Sequence, residues 1–188
     1  MPRSVVTPLL TPRNLVLCGM IAFTVIYRLA VHYAAGALPW NFTPVEAIAL
    51  FGGAYFVDRR FAVIVPLLAL LLADAVIGFY GVMMPVVYGC VALTAFAGFA
   101  LRGRVRLTNV AVAALASATG FYLATNFFVW ATSAMYPHTG AGLIACYVAG
   151  WPFYQYGTLP GTLLWSAALF GGFALLSRRY AVLQPAAG

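Results

Sequence analysis

Residues 15–36, "LVLCGMIAFTVIYRLAVHYAAG", hold a single charged side chain, Arg28, in an apolar run long enough to cross a bilayer. The run is too long for the apolar core of a cleavable secretory signal, and further apolar runs follow it, so it reads as the first of several membrane spans. Composition says the same of the whole chain. Its 188 residues are 64% hydrophobic and 7% charged, with a mean hydropathy of +0.98. Ten basic side chains, all arginine, and three acids cannot clothe a water-facing surface of that size. Lipid is the missing solvent.

At about 20 residues per span, the apolar runs predict helices near 15–35, 45–57, 62–79, 85–101, 108–134 and 162–177. The expected fold is therefore all-α, one transmembrane domain over residues 1–188, with six transmembrane helices. The net charge of +7 does not point to nucleic acid, because the arginines sit in short breaks between apolar runs and form no phosphate-binding face. Arg3 and Arg13 precede the first run, Arg59 and Arg60 follow the second, Arg102, Arg104 and Arg106 follow the fourth, and Arg178 and Arg179 follow the sixth. The intervening loops, "GALPWNFTP" (36–44), "YGVMMP" (80–85) and "MYPHTG" (135–140), lack Arg and Lys. The positive-inside rule then places both termini in the cytoplasm, with six crossings. Residues 136–161, rich in Tyr, Trp, Gly and Pro, read as an outer cap of short helix and loop.

That topology sorts the polar residues by depth. Arg28 and His32 lie one turn apart on one helix face, Glu46 opens the second run, Asp74 lies near the outer end of the third, Cys90 near that of the fourth, and Asn126 two turns from that of the fifth. All fall in the outer half. Ionisable groups at membrane depth normally face a protein interior or a watery cavity, so the cluster points to a pocket that receives something from outside. The bland alternative is a structural or assembly membrane protein without ligand, in which Arg28 and Asp74 lock helices together in a closed bundle. Trp130 reads as an interfacial belt residue or a stacking surface for a flat ligand. The glycines in "ALFGGAYF" (49–56) and "LFGGFALL" (169–176) read as sites of close helix packing.

Catalytic signatures are missing: there is no G-x-S-x-G element, no H-E-x-x-H, and too few His and acids for a hydrolytic metal site. With no P-loop and no lysine at all, the chain cannot itself run an ATPase. Three scattered cysteines make no disulfide framework. Cys18 reads as packing. Cys90, beside Tyr88 and near His32, reads either as a small hydrophobe or as a thiol for a soft metal centre carried by a ligand, such as cobalt.

Six spans with both termini inside, the absence of an ATPase element and a polar cluster in the outer half resemble the substrate-binding S-components of energy-coupling factor (ECF) vitamin transporters. The runs "NFTPVEAIALFGGAYF" (41–56) and "LLADAVIGFYGVMMPVVYGC" (71–90) are also similar to small bacterial inner-membrane proteins described only as transporters. Within the S-components, a cysteine at the binding site resembles the BtuM group of solitary cobalamin transporters. That resemblance implies cobalamin (vitamin B12) as substrate, Cys90 as axial cobalt ligand able to displace cyanide from cyanocobalamin, and a pocket of Arg28, His32, Asp74, Tyr80, Tyr88, Asn126, Trp130 and Tyr147. It implies no intrinsic cofactor. It also implies an ATPase and T-component module as partner, or a solitary mode, with the S-component of another vitamin transporter as the neighbouring reading. "AVHYA" (30–34) has the spacing of the docking element of S-components but sits at the outer end, which favours the solitary mode.

Overall fold

The computed structural model describes residues 11–34 and 39–184. Arg3, the end of the first predicted span and residues 36–38 of the following loop lie outside them. The regular elements among the described residues are all helical, with no strand: α1 (Pro12–Tyr33), α2 (Val45–Tyr55), α3 (Arg59–Ile77), α4 (Met84–Phe99), α5 (Leu107–Thr132), α6 (Gly140–Phe153) and α7 (Leu159–Arg179). Among the described residues, five helical stretches are long and apolar enough to cross a membrane, the last being the 40 residues of Gly140–Arg179 taken as one. This is a helical, multi-pass membrane protein.

Two predicted elements come out differently. The second predicted span is α2, a helix of 11 residues, about 16 Å long where a hydrocarbon core measures about 30 Å. Every residue from Glu46 to Ala54 is buried, so α2 is the apolar centre of the bundle, with α3, α4 and α7 around it. An apolar run reads equally as a lipid-facing span or as a helix buried on all sides, and only the packing separates the two. Residues 136–161 are mostly helix. α6 lies along the second half of α5 and passes through a π-helical turn, Tyr154–Thr158, into α7. Gly, Tyr, Trp and Pro152 lower intrinsic helix propensity there, and packing on α5 overrides it.

Glycine sets how tightly α2 is held. A Cβ on Gly53 would collide with the backbone of Ala95 and Gly98, and one on Gly98 with the Leu50 carbonyl, so α2 and α4 touch backbone to backbone. Gly52 faces α3, where a Cβ would meet the Pro66 ring and the Ala62 carbonyl. In "LFGGFALL" the reading fails: Gly171 has nothing within 4 Å, and Gly172 meets only the Met20 Cε at 3.5 Å. On the α7 side, Phe51 stacks edge-on against Phe170 and Phe173, with ring centroids 5.5 and 5.8 Å apart.

A short helix leaves its last carbonyls unbonded, which is costly away from water. Arg102 answers that at the C-terminus of α2: its Nε donates to Gly53 O at 2.9 Å, Nη2 to Phe56 O at 2.8 Å and Nη1 to Val57 O at 3.3 Å. Its guanidinium rests 4.5 Å from the Phe99 ring centroid. Arg13 Nη2 adds a bond to Tyr55 O at 2.9 Å. Both cations also complement the negative end of the helix dipole. Arg102→Met keeps the apolar stem and removes three charge-assisted bonds. Because part of this site meets water, the expected loss is about 2 kcal/mol, read as a lower unfolding midpoint in detergent, with Arg104→Met as the neutral control.

Candidate functional site

The chain reaches the first residue of α2 by a non-helical path. Residues 39–44 provide it, turning at Asn41, whose φ of 63° is a left-handed conformation that asparagine tolerates better than most side chains. The path is laid on glycines of the neighbouring helix: a Cβ on Gly157 would strike the Trp40 carbonyl, and one on Gly161 would crowd Thr43. Irregular backbone at membrane depth persists where it is buried in protein or lines a cavity. Here it does both.

A cavity of about 220 Å³ opens beside the start of α2, bordered by Arg28, Asn41, Thr43, Glu46, Tyr80, Phe121 and Thr158, with Val45, Leu70 and Val87 as apolar wall. Glu46, in the first turn of α2, is 2% exposed, and its nearest side-chain partner is the Thr162 hydroxyl, which donates to Oε2 at a long 3.4 Å. The N-cap position of α2 is Pro44, which offers no side-chain bond to the helix N–H groups.

Beside the cavity, Asp74 is fully buried and fully partnered. Its Oδ1 accepts from Arg28 Nη2 at 2.9 Å, and its Oδ2 accepts from the hydroxyls of Tyr80 and Tyr88, each at 3.0 Å. Tyr80 lies between α3 and α4, and burial, followed by the bond to Asp74, pushes its phenol above the ordinary value. The phenol therefore stays protonated and remains a donor. Arg28–Asp74 is the only ion pair among the described residues, as the structural reading expects. The bundle is nevertheless not closed around it: Arg28 borders the cavity, and its Nη1 is buried without a hydrogen-bond partner in the protein.

The remaining predicted residues do not join this cluster. Cys90 is buried on α4 and lines a separate, largely apolar space of about 240 Å³ between α4 and α5, with Thr94, Ser117 and Phe121. His32 is exposed and meets Tyr33 edge-on. Asn126, Trp130 and Tyr147 belong to the seam between α5 and α6. Asn126 Nδ2 donates to Tyr122 O at 2.8 Å, Trp130 Nε1 to Pro137 O at 3.0 Å, and the Tyr147 hydroxyl to Leu123 O at 3.0 Å. Gly150 lets α6 approach Asn126, and Cys146 Sγ donates to Asn126 O at 3.3 Å. Asn126 also borders a third space of about 150 Å³, which shares Asn41, Phe121 and Thr158 with the polar cavity.

Phe121 thus walls all three spaces, and no sequence signal distinguishes it from the other phenylalanines. Glu46, an acid opening an apolar run, stands in the outer-half cluster read from the sequence but not among the pocket residues that the resemblance implies. Thr158 and Thr162 had no signal, since threonine at a helix start is common. Among the described residues no three His, Cys, Asp or Glu side chains come together as a metal site.

No curated protein and no solved structure matches the chain. Its sequence over residues 9–185 matches one family profile, and the chain accordingly belongs to DUF6580, a family of unknown function.

Proposed function

We propose that the protein is a substrate-binding membrane transport protein that captures a small organic nutrient in the cavity at the start of α2. The observation that carries this reading is a polar cavity bordered by a buried glutamate and an ion-paired arginine, the other buried polar side chains among the described residues, Asp74 apart, being uncharged. A structural bundle needs the ion pair but not the cavity or Glu46. In this reading the arginine end faces the cytoplasm of a bacterial inner membrane and the cavity faces the outside. The chain makes six passes, the second of them half-length, with both termini inside. Half-length helices beginning at membrane depth are a recurring way for transporters to build a binding site. With no ATPase element of its own, the protein works with a recruited module or alone.

Cobalamin is the most specific form of the reading, and it makes Cys90 the cobalt ligand. Pockets for drug-sized ligands measure about 300–1,000 Å³, so neither the polar cavity nor the Cys90 space would hold a corrinoid as they stand. Displacement of Phe121, their shared wall, would be required to join them. The cavity size supports a smaller nutrient better.

Mass spectrometry of small molecules released from the purified protein tests the general reading. A compound carried by the wild type and lost from Val87→Phe, which fills the cavity from α4, is expected. Identical extracts from both proteins would sink it. In a parallel arm, a cyanocobalamin absorption band retained after desalting by the wild type but not by Cys90→Ala would favour the corrinoid, and no retention by either would remove it.

A further inference from the structure

The charges around the cavity limit what it can hold. The chain has only three acids, Glu46, Asp58 and Asp74. Asp58 is the exposed N-cap of α3, accepting from Arg60 N. Asp74 is neutralised by Arg28. Glu46 is therefore the one acid inside the bundle without an ion-pair partner among the described residues, and the nearest side-chain group to its buried carboxylate is the Thr162 hydroxyl at 3.4 Å. An ionised carboxylate in such a place is strongly disfavoured unless a cation meets it.

A second group on the same cavity is also unmet. Arg28 donates to Asp74 through Nη2 alone, leaving Nη1 buried and unpartnered. A ligand that answers both groups carries a protonated amine for Glu46 and a hydrogen-bond acceptor for Arg28. The charge count decides the acceptor's kind. Arg28, Asp74 and Glu46 together carry one net negative charge when ionised. A zwitterion would leave that charge standing, whereas a monocation with an uncharged acceptor cancels it. The volume of about 220 Å³ admits on the order of seven to ten non-hydrogen atoms.

Resting on the binding reading above, we infer that the cavity beside Glu46 takes a small organic monocation, an amine carrying a hydroxyl, carbonyl or ring-nitrogen acceptor, with Glu46 as its counter-charge and Arg28 Nη1 as its donor. Asn41 and Thr43, on the irregular path into α2, supply further polar contacts.

Thermal unfolding of the full chain in detergent provides the test, with ethanolamine, choline, histamine and L-leucinamide as probes. L-leucine, isopentylamine and 4-methylpentanamide serve as the zwitterionic, acceptor-free and uncharged counterparts of L-leucinamide. At least one acceptor-bearing amine should raise the midpoint. Glu46→Gln should weaken that amine by about tenfold or more in Kd, and so should Arg28→Lys, which keeps a cation for Asp74 but loses the second guanidinium nitrogen. No shift with any of the four amines overturns the inference, as does an equal shift with L-leucine or in Glu46→Gln. The two proposals fail separately. A compound carried by the wild type that lacks a cationic nitrogen, whether protonated or quaternary, defeats the monocation and leaves the binding reading intact. Extracts that Val87→Phe does not change defeat the binding reading itself.

Discussion

Gly53→Val should leave almost no folded protein in the membrane. The Cβ of any residue at this position falls on the Ala95 carbonyl and close to the Cα of Gly98. Those are backbone atoms, so no rotamer change relieves the clash. α2 would have to move away from α4, and with it the Leu50, Phe51 and Ala47 side chains that lie at 0% exposure in the core. The stem that Arg102 caps would move too. Such a change exceeds ordinary overpacking of side chains, and the expected loss is about 4 kcal/mol or more. Size-exclusion profiles of detergent extracts would show it as a missing monodisperse peak. Gly98→Val should behave alike, while Gly172→Val, which meets only the flexible end of Met20, should give a near-normal peak. A normal profile for Gly53→Val would mean that the α2–α4 contact does not hold the bundle together.

These glycines show where the fold was legible and where it was not. Hydropathy located α1, α3, α4, α5 and α7 to within a few residues, because lipid forces long apolar runs into helices and the arginine breaks mark their ends. It read α6, which runs on into α7, as part of a cap. What hydropathy cannot separate is an apolar run that faces lipid from one that faces protein on all sides, and α2 is the second kind. "FGG" in α2 and "FGG" in α7 are the same three letters, yet one glycine pair supports a backbone contact and the other meets open space. The difference lies in the partner helix, which local sequence does not contain.

The site was legible in the same partial way. Arg28, Asp74, Tyr80 and Tyr88 do meet, because ionisable groups at one depth in a bundle have few other places to go. Depth says nothing of the angle around each helix, however. His32 lies one turn beyond Arg28 and points out of the bundle, and Cys90 lies at the right height but on the α5 side of α4. Glu46 belongs to the outer-half cluster read from the sequence but not to the pocket implied by the resemblance, which was built around Cys90. The half-length of α2 carries Glu46 inward.

Asp74→Leu separates a structural from a functional account of the Arg28 cluster. Removing the carboxylate strips Arg28 of its counter-charge and leaves the hydroxyls of Tyr80 and Tyr88 without their acceptor. Breaking a buried pair from one side is far worse than replacing both partners, since it strands a charge in an apolar place. The single variant should therefore lose about 3–5 kcal/mol, at the lower end because Arg28 retains 17% exposure, and its unfolding midpoint should fall accordingly. Arg28→Leu combined with Asp74→Leu should recover most of that loss. If the cluster serves only to lock α1 against α3, the double variant is also normal in every other respect. If Arg28 reaches a bound molecule through its free Nη1, the double variant folds but its extract lacks the compound that the wild type carries. Stability restored without the compound assigns the arginine a task beyond holding helices together, and stability restored with the compound intact confines it to that one.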